Sequence, residues 1–179
     1  MLNEDKLYEE FIKDLGYTIM EMLCPSSCNV YRIRDSDYKV IKISNKNHIW
    51  AFDHILKEHE VLKRVKGVDG IAPLKNFYKK SYQKHKIIAV IKEYIKGEMM
   101  GKKISDAKNQ EILEQAVKVI HKEGYVMLDL WNGNIIIERK TEKPYIIDLG
   151  LAKSIKELPA QLFEEYKKND LEDLERLFD

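Results

Sequence analysis

Three polar residues that could do chemistry stand in two largely apolar segments of this chain, MLDLWNGNIII (Met127 to Ile137) and IIDLGLAK (Ile146 to Lys153). They are Asp129, Asn134 and Asp148, each flanked by strand-forming residues. A buried carboxylate without a partner is costly, so these groups are either satisfied locally or completed by a cation and its ligand. The spacing D-x-x-x-x-N puts a carboxylate at the start of a tight loop and an amide at its end. Ile135, Ile136 and Ile137 follow as a buried strand that anchors the loop. Asp148 falls at the end of a neighbouring strand, just before Gly150, which relieves the backbone where the chain must turn. Oxygen donors converging in this way suit magnesium, which prefers oxygen ligands and is commonly shared with phosphates.

A second pair lies upstream. In YKVIKIS, Lys42 sits among apolar strand residues with the same inward parity as Val40. A lone lysine at such a place reads as a strand lysine snorkelling to water. A buried ammonium needs a counter-charge, and the next helix offers Glu58 and Glu60. Glu58 is four residues before Leu62 and seven before Val65, on the core-facing stripe, whereas Glu60 is off it. A Lys42–Glu58 pair is the geometric expectation.

These residues depend on the elements that carry them. Asn3 to Leu15 has helical spacing that Gly16 ends, and NVYRIRDSDYKVIKIS alternates on both sides of a polar turn, as a hairpin does. His48 to Val65 reads as a helix closed by Gly67 and Gly70. Strands are expected at about Leu74 to Tyr78 and Lys86 to Lys92, joined by the basic turn KKSYQKHK. Asp106 to Lys122 is a helix with Asp106 as N-cap, with Ile112, Ala116, Val119 and Ile120 inward and Gly124 at its end. Two short strands flank a turn at Arg139 to Lys143, and Pro159 to Lys168 and Asp170 to Phe178 read as two short amphipathic helices.

Taken in order, V-x-K (Val40, Lys42) on a strand, E-x-x-x-L-x-x-V (Glu58, Leu62, Val65) on a helix, D-L-x-x-x-N (Asp129 to Asn134) and D-L-G (Asp148 to Gly150) resemble the protein-kinase-like superfamily over roughly Leu23 to Lys153. The resemblance implies an α+β, bilobal fold. An antiparallel sheet with one helix forms the N-terminal lobe (1–95) and a minimal, mostly helical C-terminal lobe (96–179) completes one kinase-like domain. It implies ATP and Mg2+ as cofactors, with Lys42 on the nucleotide phosphates and Glu58 orienting it. Asp129 accepts the hydroxyl proton or orients the nucleophile, and Asn134 and Asp148 hold the metal. IKEYIKG becomes the hinge, where backbone groups of Glu93, Tyr94 and Ile95 meet adenine and Ile91 stands behind the base.

The chain departs from the pattern in two places. The phosphate-covering loop, usually rich in glycine, is LCPSSCNVYRI, in which Ser26 and Ser27 offer hydroxyls but no glycine lets the backbone close on phosphate. Met127 and Leu128 stand where a histidine or arginine usually precedes the catalytic aspartate, and the short remainder after Gly150 has no A-P-E segment. Control by activation-loop phosphorylation is not expected. This shortness is similar to compact atypical kinases, namely the RIO family and the small kinase-like ATPase of the tRNA threonylcarbamoylation complex. DLWNGNIII is similar to aminoglycoside and fructosamine kinases, which normally carry a large helical substrate lobe.

Composition bounds the rest. With 44% hydrophobic and 34% charged residues the chain builds a core under a solvated surface, and a net charge of +1 gives no bulk field toward nucleic acid or membrane. Two cysteines, Cys24 and Cys28, make neither a disulfide framework nor a four-ligand zinc site. The acidic start and strand-sized apolar runs argue for a cytoplasmic protein with no membrane role. The expected function is an ATP- and Mg-dependent phosphotransferase acting on Ser or Thr of a protein or on itself. The alternatives are an ATPase-like subunit of an assembly, a pseudokinase interaction module, and a small-molecule kinase. A partner protein is expected. Lys79, Lys80, Lys84, His85 and Lys86 read as a solvated hairpin first and as an RNA-associated contact second.

Overall fold

Leu7, Tyr8, Phe11 and Ile12 recur at helical spacing and all are buried in α1 (Glu4–Asp14) of the computed structural model, which describes residues 4–25, 28–101 and 106–178. Gly16, at φ +86°, ends the helix in the left-handed region that glycine enters without Cβ strain. The strands that follow are β1 (Thr18–Pro25), β2 (Asn29–Arg34) and β3 (Tyr38–Asn45), then β4 (Leu74–Tyr82) and β5 (His85–Glu93). They form one antiparallel sheet in the order β1-β2-β3-β5-β4. Between β3 and β4 runs α2 (Ile49–Arg64).

Period-two alternation assigns each side chain of β3 and β5 to one sheet face. Ile41 is registered with Ile91 and Ile43 with Ala89, and these four join Tyr31, Ile33 and Ile87 in a core against α1. The residues between them take the opposite face. There Lys42 is registered with Val90 and Val40 with Lys92. Lys42 and Lys92 are therefore diagonal neighbours on one face, each 6% exposed.

The chain divides into two compact units, 1–59 with 74–94, and 60–73 with 95–179. The second unit contains a three-stranded antiparallel sheet, ordered β6 (Gly97–Met99), β8 (Ile135–Glu138), β9 (Pro144–Ile146). A two-stranded pairing joins β7 (Tyr125–Val126) to β10 (Lys153–Ser154). Helix α3 (Ala107–Lys122) starts at Asp106, whose side chain accepts from the Lys108 amide, and α4 is Ala160–Arg176. Ile71 bridges to Ile146 in parallel, and the Gly70 carbonyl accepts from the Ile146 amide at 2.8 Å.

Several expectations need correction. The basic segment KKSYQKHK is mostly strand, and the turn is only Gln83 and Lys84, both with positive φ, as a two-residue hairpin requires. Lys79 lies over the Phe52 ring and Lys80 over the Phe11 ring. A short strand with no counterpart among the expected elements, β6, begins at Gly97 and pairs with β8. A Cβ on Gly97 would stand 1.9 Å from the Ile137 carbonyl oxygen, so only glycine permits this approach. The inward face of α3 is Asn109, Leu113, Ala116, Val117, Ile120 and His121, rotated from the expected stripe, and Ile112 and Val119 are only half-buried. The two expected C-terminal helices are one. Asp170, read as the start of the second, lies mid-helix with its carboxylate inside the core.

Candidate functional site

The first unit contributes a charged triad. Glu58 on α2 is fully buried, and its Oε2 lies 3.2 Å from Nζ of Lys42. The expected pair is thus formed, while Glu60 is exposed. The other oxygen, Oε1, accepts a short hydrogen bond from Lys92, which had no expected role. Ile91, expected behind the base, faces α1 instead and is wholly buried there. The strand reverses face at each residue, so Lys92 occupies the Lys42 side at this end of β5. A signal for Lys92 was present: it is a charged residue closing the apolar run IIAVI, with the parity of Val90.

At the end of β5, Glu93 pairs with Lys75 at 2.7 Å, and the Tyr94 amide donates to the Tyr38 carbonyl at 3.4 Å. The Tyr94 hydroxyl accepts from Arg32, whose guanidinium lies over the Tyr38 and Tyr94 rings. Ile95, the first residue of the second unit after this strand, is buried. Ser26 and Ser27 lie outside the described residues.

The second unit contributes the acid–amide–acid arrangement. Asn134 closes a 3-10 turn (Asn132–Asn134), and its Nδ2 donates to both the Asp129 carbonyl (3.0 Å) and Asp129 Oδ2 (2.9 Å). The amide's donor is thereby engaged by Asp129 and its carbonyl oxygen is left as an acceptor. The Asn134 backbone carbonyl accepts from the Ile147 amide at 2.9 Å, which continues the β8–β9 ladder and brings Asp148 beside the loop. Asp148 Oδ1 accepts from the Gly150 amide at 2.9 Å. All three side chains are half-buried. Asn134 and Asp148 supply oxygen only, the donor chemistry magnesium prefers. Among the described residues no three His, Cys, Asp or Glu gather as a metal cage.

The peptide ahead of Asp129 is clamped from below. Asp170, 1% exposed, accepts from the amides of Met127 (2.9 Å) and Leu128 (3.1 Å) and from His121 Nε2 (2.8 Å). Leu128 has φ +64°, a left-handed conformation uncommon for a branched side chain, and the Asp170 bonds hold it. An aspartate in the C-terminal apolar stretch was visible in the sequence, but its target was not. Trp131 is 52% exposed, and its ring lies where a Cβ on Gly133 would be, 2.3 Å from the nearest ring atom. Gly133 therefore leaves room for the indole to lie against its own Cα.

The strand lysine with its buried helix glutamate, the D-x-x-x-x-N loop and the aspartate ahead of glycine follow one another in the order of the protein-kinase motif set. Comparison with known proteins agrees. The protein kinase domain family matches residues 26–168, and the chain belongs to that family. Among solved structures, the kinase PK-1 of Cydia pomonella granulovirus is similar in fold, with a TM-score of 0.63 and 21% sequence identity. That likeness covers 84% of this chain and 60% of the viral one, so the chain spans less than two thirds of that kinase's length. No curated protein matches the sequence. No helix among the described residues is long and apolar enough to cross a membrane.

Proposed function

We propose that this protein transfers the γ-phosphoryl group of ATP, with magnesium, to a Ser or Thr hydroxyl of a protein or of itself, in the cytoplasm. The observation that carries the reading is Asn134 donating to Asp129 in a loop whose backbone Asp170 clamps. That arrangement fixes a carboxylate and an amide oxygen before any ligand binds, and preorganised charge is what phosphoryl transfer requires of a protein.

Each residue has a distinct task. Lys42 binds the donor's phosphates, and Glu58 keeps its ammonium from folding away. Backbone groups of Glu93, Tyr94 and Ile95 meet the adenine, and the hydroxyls of Ser26 and Ser27 supply donors that a glycine loop would supply from its backbone. Asp129 accepts the proton of the attacking hydroxyl and orients its oxygen in line with the phosphoryl group. Asn134 and Asp148 would hold magnesium, which when bound offsets the charge on the phosphate oxygens.

The glycine-free stretch from Cys24 to Cys28 favours a second reading, an ATP-binding interaction module without transfer. Thermal unfolding with ATP and Mg2+ and radiolabel transfer separate the two. Ligand at a hundredfold excess over its Kd stabilises by about 2.7 kcal/mol, a rise in Tm of about 5–10 °C at this chain length. The transferase shows that rise, loses it in Asp148→Ala, and loses transfer by about a thousandfold or more in Asp129→Ala with the rise retained. A shift without label transfer leaves the binding module, and no shift with the wild-type chain removes both readings.

A further inference from the structure

Glu58 answers to two buried lysines, and the two contacts are unequal. Lys92 donates a short hydrogen bond to Oε1. Lys42 lies 3.2 Å from Oε2, an oxygen that accepts no hydrogen bond among the described residues. On the Lys42 side the contact with Glu58 is thus an ion pair without hydrogen-bond alignment, and on the Lys92 side it is a bond. The lysines meet separate oxygens because the β3–β5 register sets them diagonally across one sheet face, with Glu58 approaching from α2.

This asymmetry bears on what happens when a polyanion draws on Lys42. A carboxylate that is fully buried and tied to one lysine alone opposes the sharing of that lysine's charge with a ligand, because its own charge would then stand partly uncompensated in low dielectric. A second lysine already bonded to the other oxygen removes that opposition. We propose that Lys92 is a positioning residue that keeps Glu58 compensated while the Lys42 ammonium, still paired with Glu58, shares its charge with the phosphates of the nucleotide. Lys92 sets the phosphate-dependent part of the affinity without touching phosphate. The inference rests on the proposed ATP site and adds to it a residue whose action passes through Glu58.

The test is a set of equilibrium titrations on the full chain, with ATP and with adenosine as probes, and a thermal melt of each variant to establish folding. Lys92→Met weakens ATP about tenfold and leaves adenosine, which has no phosphate, unchanged. Lys92→Arg, which keeps the cation, restores ATP affinity. In a Glu58→Gln background there is no carboxylate to compensate, so adding Lys92→Met produces no further loss. Lys92→Gln serves as a second neutral variant should Lys92→Met not fold. Equal ATP affinity in wild type and the neutral variants overturns the proposal, as does a parallel loss of adenosine, which marks a merely structural role. An undiminished loss in the Glu58→Gln background overturns it too, since Lys92 would then act on phosphate directly. A wild-type chain that binds no ATP overturns the nucleotide reading itself and this inference with it. Wild-type binding with an unresponsive Lys92→Met overturns this inference alone.

Discussion

Asp170 shows how much one side chain can decide at the residue scale. Its carboxylate receives two backbone amides and an imidazole N–H in a site that is 1% exposed. A buried donor left without its acceptor costs about 1–3 kcal/mol, so Asp170→Ala should lower stability by about 3 kcal/mol or more in urea unfolding. Asp170→Asn keeps one acceptor oxygen and should cost less. It should still reduce phosphoryl transfer, because the left-handed Leu128 then loses part of what holds it, and Asp129 is the next residue. Equal unfolding midpoints for wild type and Asp170→Ala would show that the clamp contributes nothing.

At the scale of elements, α1 is the sheet's cover. Phe11 is fully buried, and its ring meets Tyr78 and Tyr82 edge-on at centroid distances of 6.3 and 5.2 Å. Phe11→Ala should cost about 3–5 kcal/mol, from lost burial together with the cavity it leaves. The check is chemical denaturation followed by circular dichroism. A loss below about 1 kcal/mol would mean that α1 does not stay docked. The helical spacing of Leu7, Phe11 and Ile12 and the alternation in β2 and β3 were readable because both periods are local. Strand β6 was not readable. Three residues carry no period, and its reason for existing is the backbone of β8, which comes close only because Gly97 has no side chain.

For the molecule as a whole, pH acts through Tyr8 and Glu4, which α1 carries against the sheet. Burial, with Glu4 nearby, pushes the Tyr8 hydroxyl up to about 12, and Asn45 Nδ2 donates to its oxygen at 2.7 Å. An unfolded tyrosine ionises near 10. Between pH 10 and 12 the unfolded chain therefore gives up a proton that the native chain keeps, and stability should fall as pH rises. Glu4 acts in the opposite range. The hydrogen bond from His48 holds its carboxyl below the usual value, so its contribution is present above about pH 4.5 and is lost in more acid solution. Unfolding free energies measured from pH 9 to 12 in wild type and Tyr8→Phe check the alkaline limb, where the variant should fall less steeply. Matching slopes would assign that limb to other groups.

From its letters alone the chain specified the residue types of the candidate site, their order, and the parity that places Lys42 and Glu58 toward one another. Those properties follow from periods of 2 and 3.6 residues and from short spacings, which neighbours along the chain enforce. The tertiary structure decided what no local period encodes. It set Lys92 on the second oxygen of Glu58, turned Ile91 toward α1, and brought Asp170 to amides 43 and 42 residues away. Each of these is a choice among partners that only the pairing of β3 with β5, or the docking of α4, makes available, because a buried charge takes whichever complementary group the fold delivers to it.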